Sequence, residues 1–289
     1  MMAEPEHGGA MAVAVPAGAH IYWNAPTRED DIQGQIAMVE RVTSGGFQGL
    51  VLFPDHELAL VSPVRNALAR GIPAVIISSP LAIPPAGRLF YLLNDERKGG
   101  ELGAARISAV LHGHGKIAVL GISPDISGIM TRARSLEETL AHDHPDIQVV
   151  ANAIGSFNVP HEQQVAEEAL KTNPDLDIIV ALTSASARGV LSALASSGNP
   201  RVKVMIFDSD FLDFDNPRVD SFILQDTRSM GGMAVGIILA SLHGQSPPST
   251  QQLEPVLVTR ENISSPTIRR MTQMDWRTES TRWKWSIGP

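Results

Sequence analysis

Short runs that are apolar at nearly every position recur along this chain. They include Gly49-Leu-Val-Leu-Phe53, Ile72-Pro-Ala-Val-Ile-Ile77, Lys116-Ile-Ala-Val-Leu120 and Val202-Lys-Val-Met-Ile-Phe207. A strand with one wet face alternates apolar and polar residues, whereas a run without alternation must be covered on both faces. Helical patterns separate the runs: Ile32, Ile36, Val39 and Val42 recur at helical spacing before Gly45-Gly46, and Leu136 and Leu140 share one face. Strands also read at His20–Trp23, Arg88–Leu93, Ile147–Ala151, Asp177–Leu182, Asp220–Gln225 and Glu254–Val258. Strand and helix in alternation predict an α/β fold with parallel sheets covered on both sides. About ten strands fit two sheets of about five better than one sheet.

Composition narrows the function. The 289 residues suffice for two lobes. A net charge of −8 argues against a surface built for nucleic acid or anionic membrane. Cysteine is absent, which excludes disulfides, thiol chemistry and cysteine metal sites. No apolar run reaches the ~20 residues that span a bilayer. The first residues, Met1 to Gly9, lack the basic-then-apolar order of a signal peptide. An Ala-rich, weakly helical piece from Gly9 to Gly18 follows, and Thr27 is placed to cap the next helix.

Enzyme signatures are missing. Gly113-His-Gly-Lys116 lacks the first glycine and the Ser/Thr of a phosphate loop, and His161-Glu-Gln-Gln lacks the second histidine of a zinc protease. His112/His114 and His142/His144 have no acidic or histidine partner at ligand spacing. No Gly-x-Ser-x-Gly elbow occurs. The expectation is therefore no enzyme, no cofactor and no metal.

A polar residue right after an apolar strand does recur: Ser78, Asp95 with Glu96, Thr183, Asp208 and Gln225. Singly each is ordinary turn chemistry, and Asp208 could simply cap the turn after its strand. Together they suggest strand ends facing a cleft, where open α/β sheets gather ligands. Carboxylates and amides accept and donate to several hydroxyls at once, which suits a polyhydroxy ligand.

Over roughly 18–258 the chain resembles type 1 periplasmic binding proteins of the ribose/galactose class and the sensor domain of lac-repressor-type regulators. The resemblance rests on Gln35, Gly49-Leu-Val-Leu-Phe-Pro54, Gly71-Ile-Pro-Ala-Val-Ile-Ile-Ser78, Asn94-Asp-Glu-Arg-Lys-Gly-Gly100 and Arg132-Ala-Arg-Ser-Leu136. It continues through Thr183-Ser-Ala-Ser-Ala-Arg-Gly189, Val204-Met-Ile-Phe-Asp208 and Gln225-Asp-Thr-Arg-Ser-Met-Gly231, in order and at family spacing. It implies two Rossmann-like lobes joined by three crossovers around a ligand cleft. The first lobe would comprise 1–96 and 226–252, the second 97–225 and 253–258, with a polar tail at 259–289 carrying Trp276, Trp283 and Trp285. That tail would either pack over a lobe or mediate self-association.

The resemblance also assigns roles. Asp208 and Gln225 would bond ligand hydroxyls, Arg132 would reach the ligand from the second lobe, and Phe157 would stack on a sugar face or anchor the core. Ser78, Asp95, Glu96 and Thr183 complete the implied site. Ser78 replaces the family's Asp, Thr183-Ser184 replaces Asn-Asp, and Asp95-Glu96 replaces Asp-Asn, so a ligand other than ribose is equally allowed. The first strand here corresponds to the family's second, which implies a chain shortened at its start.

The leading reading is a solute receptor for an ABC-type importer, extracytoplasmic, with a sugar-like ligand and a membrane permease as partner. The alternative is the cytoplasmic effector domain of a transcription regulator. An enzyme on the same frame would need a nucleophile–base pair.

Overall fold

The computed structural model describes residues 3–28, 31–198, 201–207 and 212–273. The chain begins with α1 (Ala3–Ala14) and α2 (Ile32–Ser44), then β1 (Leu50–Leu52), α3 (Val61–Ala69), β2 (Ala74–Ser78) and β3 (Leu89–Asn94). Next come α4 (Glu96–Leu111), β4 (Gly115–Ile122), α5 (Ser127–Asp143), β5 (Ile147–Ile154), α6 (Val159–Thr172), β6 (Ile178–Ala181), α7 (Ser184–Ser197), β7 (Lys203–Phe207) and β8 (Val219–Leu224). The last elements are α8 (Thr227–Leu242), β9 (Thr250–Leu253), β10 (Val256–Val258) and α9 (Pro266–Met271).

The strands form two sheets. One has four strands in the order β1-β2-β3-β9, the other six in the order β10-β8-β7-β6-β4-β5. Every pairing is parallel except β10 with β8. The chain passes between sheets after β3, after β8 and after β9, which are the three crossovers of the expected two-lobed fold.

The central strands of both sheets are buried on both faces, as the unbroken apolar runs require. In the smaller sheet, Leu50, Ile76 and Tyr91 meet Val39, Leu60 and Val64 on one side. Val75, Ile77 and Phe90 meet Met230, Ala234 and Ile237 of α8 on the other. In the larger sheet, Val119, Val180 and Phe207 face Ile107, Leu136 and Leu140 of α4 and α5. Ala118, Ile179 and Ile206 face Ala166, Val190 and Leu194 of α6 and α7.

Several elements differ from the sequence reading. Among the described residues His20–Trp23 forms no strand and pairs with none. Its rings find other contacts, Tyr22 with Phe47 at 5.3 Å and Trp23 with His7 at 4.8 Å between centroids. The cap of α2 is Asp31, which accepts the Gly34 N–H at 2.8 Å, and not Thr27. β9 was not expected because Thr250-Gln-Gln-Leu253 is polar; it lies at a sheet edge, where one-sided burial suffices. α9 buries Ile268 and Met271 against the larger sheet's core, so this part of the tail packs on that lobe. Trp276, Trp283 and Trp285 lie outside the described residues.

α1 lies unusually close to α8. A Cβ on Gly9 would collide with the Arg228 carbonyl, and one on Gly231 with the Glu6 carbonyl. Only glycine lets the two backbones approach this far. Gly231→Ala should push α1 off α8 and cost about 1–3 kcal/mol, the usual penalty of overpacking. Thermal unfolding checks this, and an unchanged midpoint would refute the close packing. The same approach buries Glu6 to 9% exposure. Desolvation raises its carboxyl from 4.5 to about 8.

Candidate functional site

The carboxyl ends of the two sheets converge on a buried polar network. Glu96 opens α4, directly after β3, and Arg132 projects from α5. They form a two-pronged ion pair: Arg132 Nε donates to Glu96 Oε2 at 2.7 Å, and Nη2 donates to Oε1 at 2.6 Å. Arg132 Nη1 donates to the Leu182 carbonyl, at the end of β6, at 3.0 Å. The Gln225 amide, at the end of β8, donates to Glu96 Oε1 at 2.9 Å. The guanidinium also lies 5.5 Å from the Phe207 ring.

The pair is held by helix packing. Gly100 of α4 lies against the Arg132 carbonyl and the Leu136 amide, leaving no room for a Cβ. Ser135 Oγ donates to the Arg97 carbonyl at 2.8 Å. α5 is thereby docked on α4 at one register, and the two side chains meet 36 positions apart in sequence. A buried ion pair survives only with such geometry and with its remaining polar atoms bonded, because desolvation costs several kcal/mol per ion.

The smaller sheet supplies Ser78 and Asn94. The Asn94 amide donates to Ser78 Oγ at 2.9 Å and approaches Glu96 Oε1 at 3.4 Å. Ser78 has φ 66, a left-handed conformation uncommon for serine, at the point where the chain leaves β2. Asn94 Oδ1 is buried and has no hydrogen-bond partner among the described residues. Such an acceptor is costly unless something donates to it.

The remaining expected residues are placed differently. Asp95 caps α4, accepting the Lys98 N–H at 2.9 Å, so its carboxylate serves the helix and not the network. Thr183 caps α7, accepting the Ser186 N–H at 3.1 Å. Its hydroxyl retains a proton to donate. Phe157 is half-buried against the core shared by α4 and α5, which is the anchoring reading. It sits at φ 57 in a loop pinned by the Ser156 N–H, which donates to the buried Glu162 Oε1 at 2.7 Å. Asp208 lies outside the described residues. Among the described residues no three His, Asp or Glu side chains gather to hold a metal ion.

The loops around the network touch across the sheets. The Glu57 N–H, following β1, donates to the Asp125 carbonyl, preceding α5, at 3.1 Å. Gly128 of α5 faces Ser79, which follows β2, and a Cβ there would collide with the serine hydroxyl.

Asn94 and Gly128 went unnoticed in the sequence as site residues. The signal for Asn94 was present: it directly ends the apolar strand Leu89–Leu93, as Ser78 ends its own.

Two lobes of parallel sheet, three crossovers, and polar side chains meeting at facing strand ends define a two-lobed solute-binding fold. The chain belongs to the periplasmic binding protein domain family, whose sequence model matches residues 7–246. It is similar to the ribose import binding protein of Bacillus subtilis, with 27% identity over 77% of this chain and 72% of that protein. It is also similar to the D-apiose import binding protein of Paraburkholderia graminis, with 23% identity over 62% of this chain and 57% of that protein. In fold it matches a carbohydrate transporter solute-binding protein from Agrobacterium radiobacter, solved with D-arabinose. That match has TM-score 0.84 and 23% identity, and covers 93% of each chain. The family is one of binding proteins, and the chain is a binding protein rather than an enzyme.

Proposed function

We propose that this chain is the solute receptor of an ABC-type importer and takes a sugar or similar polyhydroxy small molecule between its lobes. The observation that carries the reading is the mixed polar network at the converging strand ends, in which Asn94 Oδ1 is buried without a hydrogen-bond partner among the described residues. Hydroxyl groups donate and accept at once, so one ligand can serve both kinds of partner. The similarity to import binding proteins favours a receptor over the effector domain of a regulator.

In this reading the lobes comprise 1–96 with 226–252 and 97–225 with 253–258, hinged near Glu96, Gln225 and Val258. Ser78, Glu96, Arg132, Thr183 and Gln225 line the ligand, Asp208 remains a further expected contact, and Phe157 supports the loop. The working place is extracytoplasmic, and a membrane permease receives the loaded form. Among the described residues no helix is long and apolar enough to cross a membrane.

Titration calorimetry against pentoses and hexoses tests the proposal. A neutral aldose or ketose should bind, and Gln225→Ala should weaken it by about 1–3 kcal/mol, the cost of unpaired buried partners. A folded protein that binds no member of the panel would refute the sugar reading.

A further inference from the structure

Resting on the receptor reading, we propose that Glu96 is a specificity-determining residue that makes the cleft select uncharged polyhydroxy ligands and reject sugar acids. A buried guanidinium is by nature a carboxylate site, because its planar fork matches two carboxylate oxygens. Here that fork is already filled from within. Both Glu96 oxygens occupy the Nε and Nη2 edge at 2.7 and 2.6 Å, and Leu182 takes a third donor at 3.0 Å. The side chains are 5% and 6% exposed, so water screens the pair little.

An arriving carboxylate would therefore meet a neutral pair and not a free cation. It would also meet lone pairs. Glu96 Oε1 already accepts from Arg132 and from Gln225, and Asn94 Oδ1 is an acceptor lacking a donor. A hydroxyl can donate to Asn94 Oδ1, whereas an ionised carboxylate has no proton to give. Two independent features, the occupied fork and the unpartnered amide oxygen, thus point the same way. Leaving a buried charge and buried acceptors unpaired is how a site discriminates against close analogues of its ligand.

The test is calorimetry on the wild type and Glu96→Gln with matched pairs: D-galactose with D-galacturonate, and D-arabinose with D-arabinonate, within a wider aldose panel and its acids. The wild type should prefer the neutral member of any pair it binds by at least ~100-fold, as expected when the acid's charge is buried without a free counter-ion. Glu96→Gln leaves the guanidinium charge unneutralised and should raise affinity for the acids by at least ~100-fold, because the acid then gains a counter-ion. No gain of acid binding in the folded variant overturns the proposal, as does a wild type that binds an acid as tightly as its neutral partner. If Glu96→Gln does not fold, the wild-type comparison decides alone. A wild type that binds no neutral sugar removes the receptor reading for sugars, while the acid titration of Glu96→Gln still decides the role of Glu96.

Discussion

Arg132→Ala should destabilise the protein by about 3–5 kcal/mol and abolish ligand binding, because it strands a buried charge. Glu96 would keep the Gln225 amide but lose both of its charged bonds at 6% exposure. The Leu182 carbonyl would lose its donor as well. Urea denaturation reads the effect as a lower midpoint at unchanged slope. Arg132→Lys is the informative companion, since a point charge cannot reproduce the fork and should recover only part of the loss. A midpoint shift worth less than about 1 kcal/mol would mean the pair is no more than a surface bridge in its energetics.

Glu6 should make the protein lose stability as pH rises. Burial against α8 raises its carboxyl from 4.5 to about 8. Between those values the unfolded chain has released the proton and the folded chain still holds it. Fewer protons in the unfolded state mean that stability falls with rising pH across this window and levels off above about 8. At about 1.4 kcal/mol per unit the total reaches several kcal/mol. Glu6→Gln should therefore match the wild type near pH 4.5 and exceed it by several kcal/mol near pH 8.5. Midpoints for both proteins across that range provide the check, and parallel profiles would show that Glu6 is not held protonated by the fold.

Most of the sheet structure was legible because burial on both faces leaves a signature in sequence. Runs such as Ile72–Ile77 and Asp177–Leu182 could be nothing else, and they became β2 and β6 within a residue or two. The failures occurred where partners decide. His20–Trp23 has strand chemistry but no strand beside it, and Thr250–Leu253 has little strand chemistry but lies beside β3. Glu6 precedes the piece read as helical from sequence, and its burial comes from the close approach at Gly231 of α8. In the site, the polar ends of strands were visible one by one. What they do to each other was not: Asp95 and Glu96 are neighbours of like charge, yet one caps a helix and the other clasps Arg132. The cap follows from local geometry. The clasp follows from the docking of α5 on α4, which single-residue reasoning does not reach.

The contacts that join the loops of the two sheets have a consequence of a different kind. One is a main-chain hydrogen bond, from the Glu57 amide to the Asp125 carbonyl, and another is the fit of Gly128 against Ser79. In the proposed receptor neither would read ligand chemistry, and both would have to part before an enclosed ligand could leave. Differences in affinity among related complexes reside mostly in departure rates. In the proposed receptor the rim would govern dwell time and the network beneath it choice, so a change at Gly128 is expected to alter how long cargo stays and not which cargo is taken.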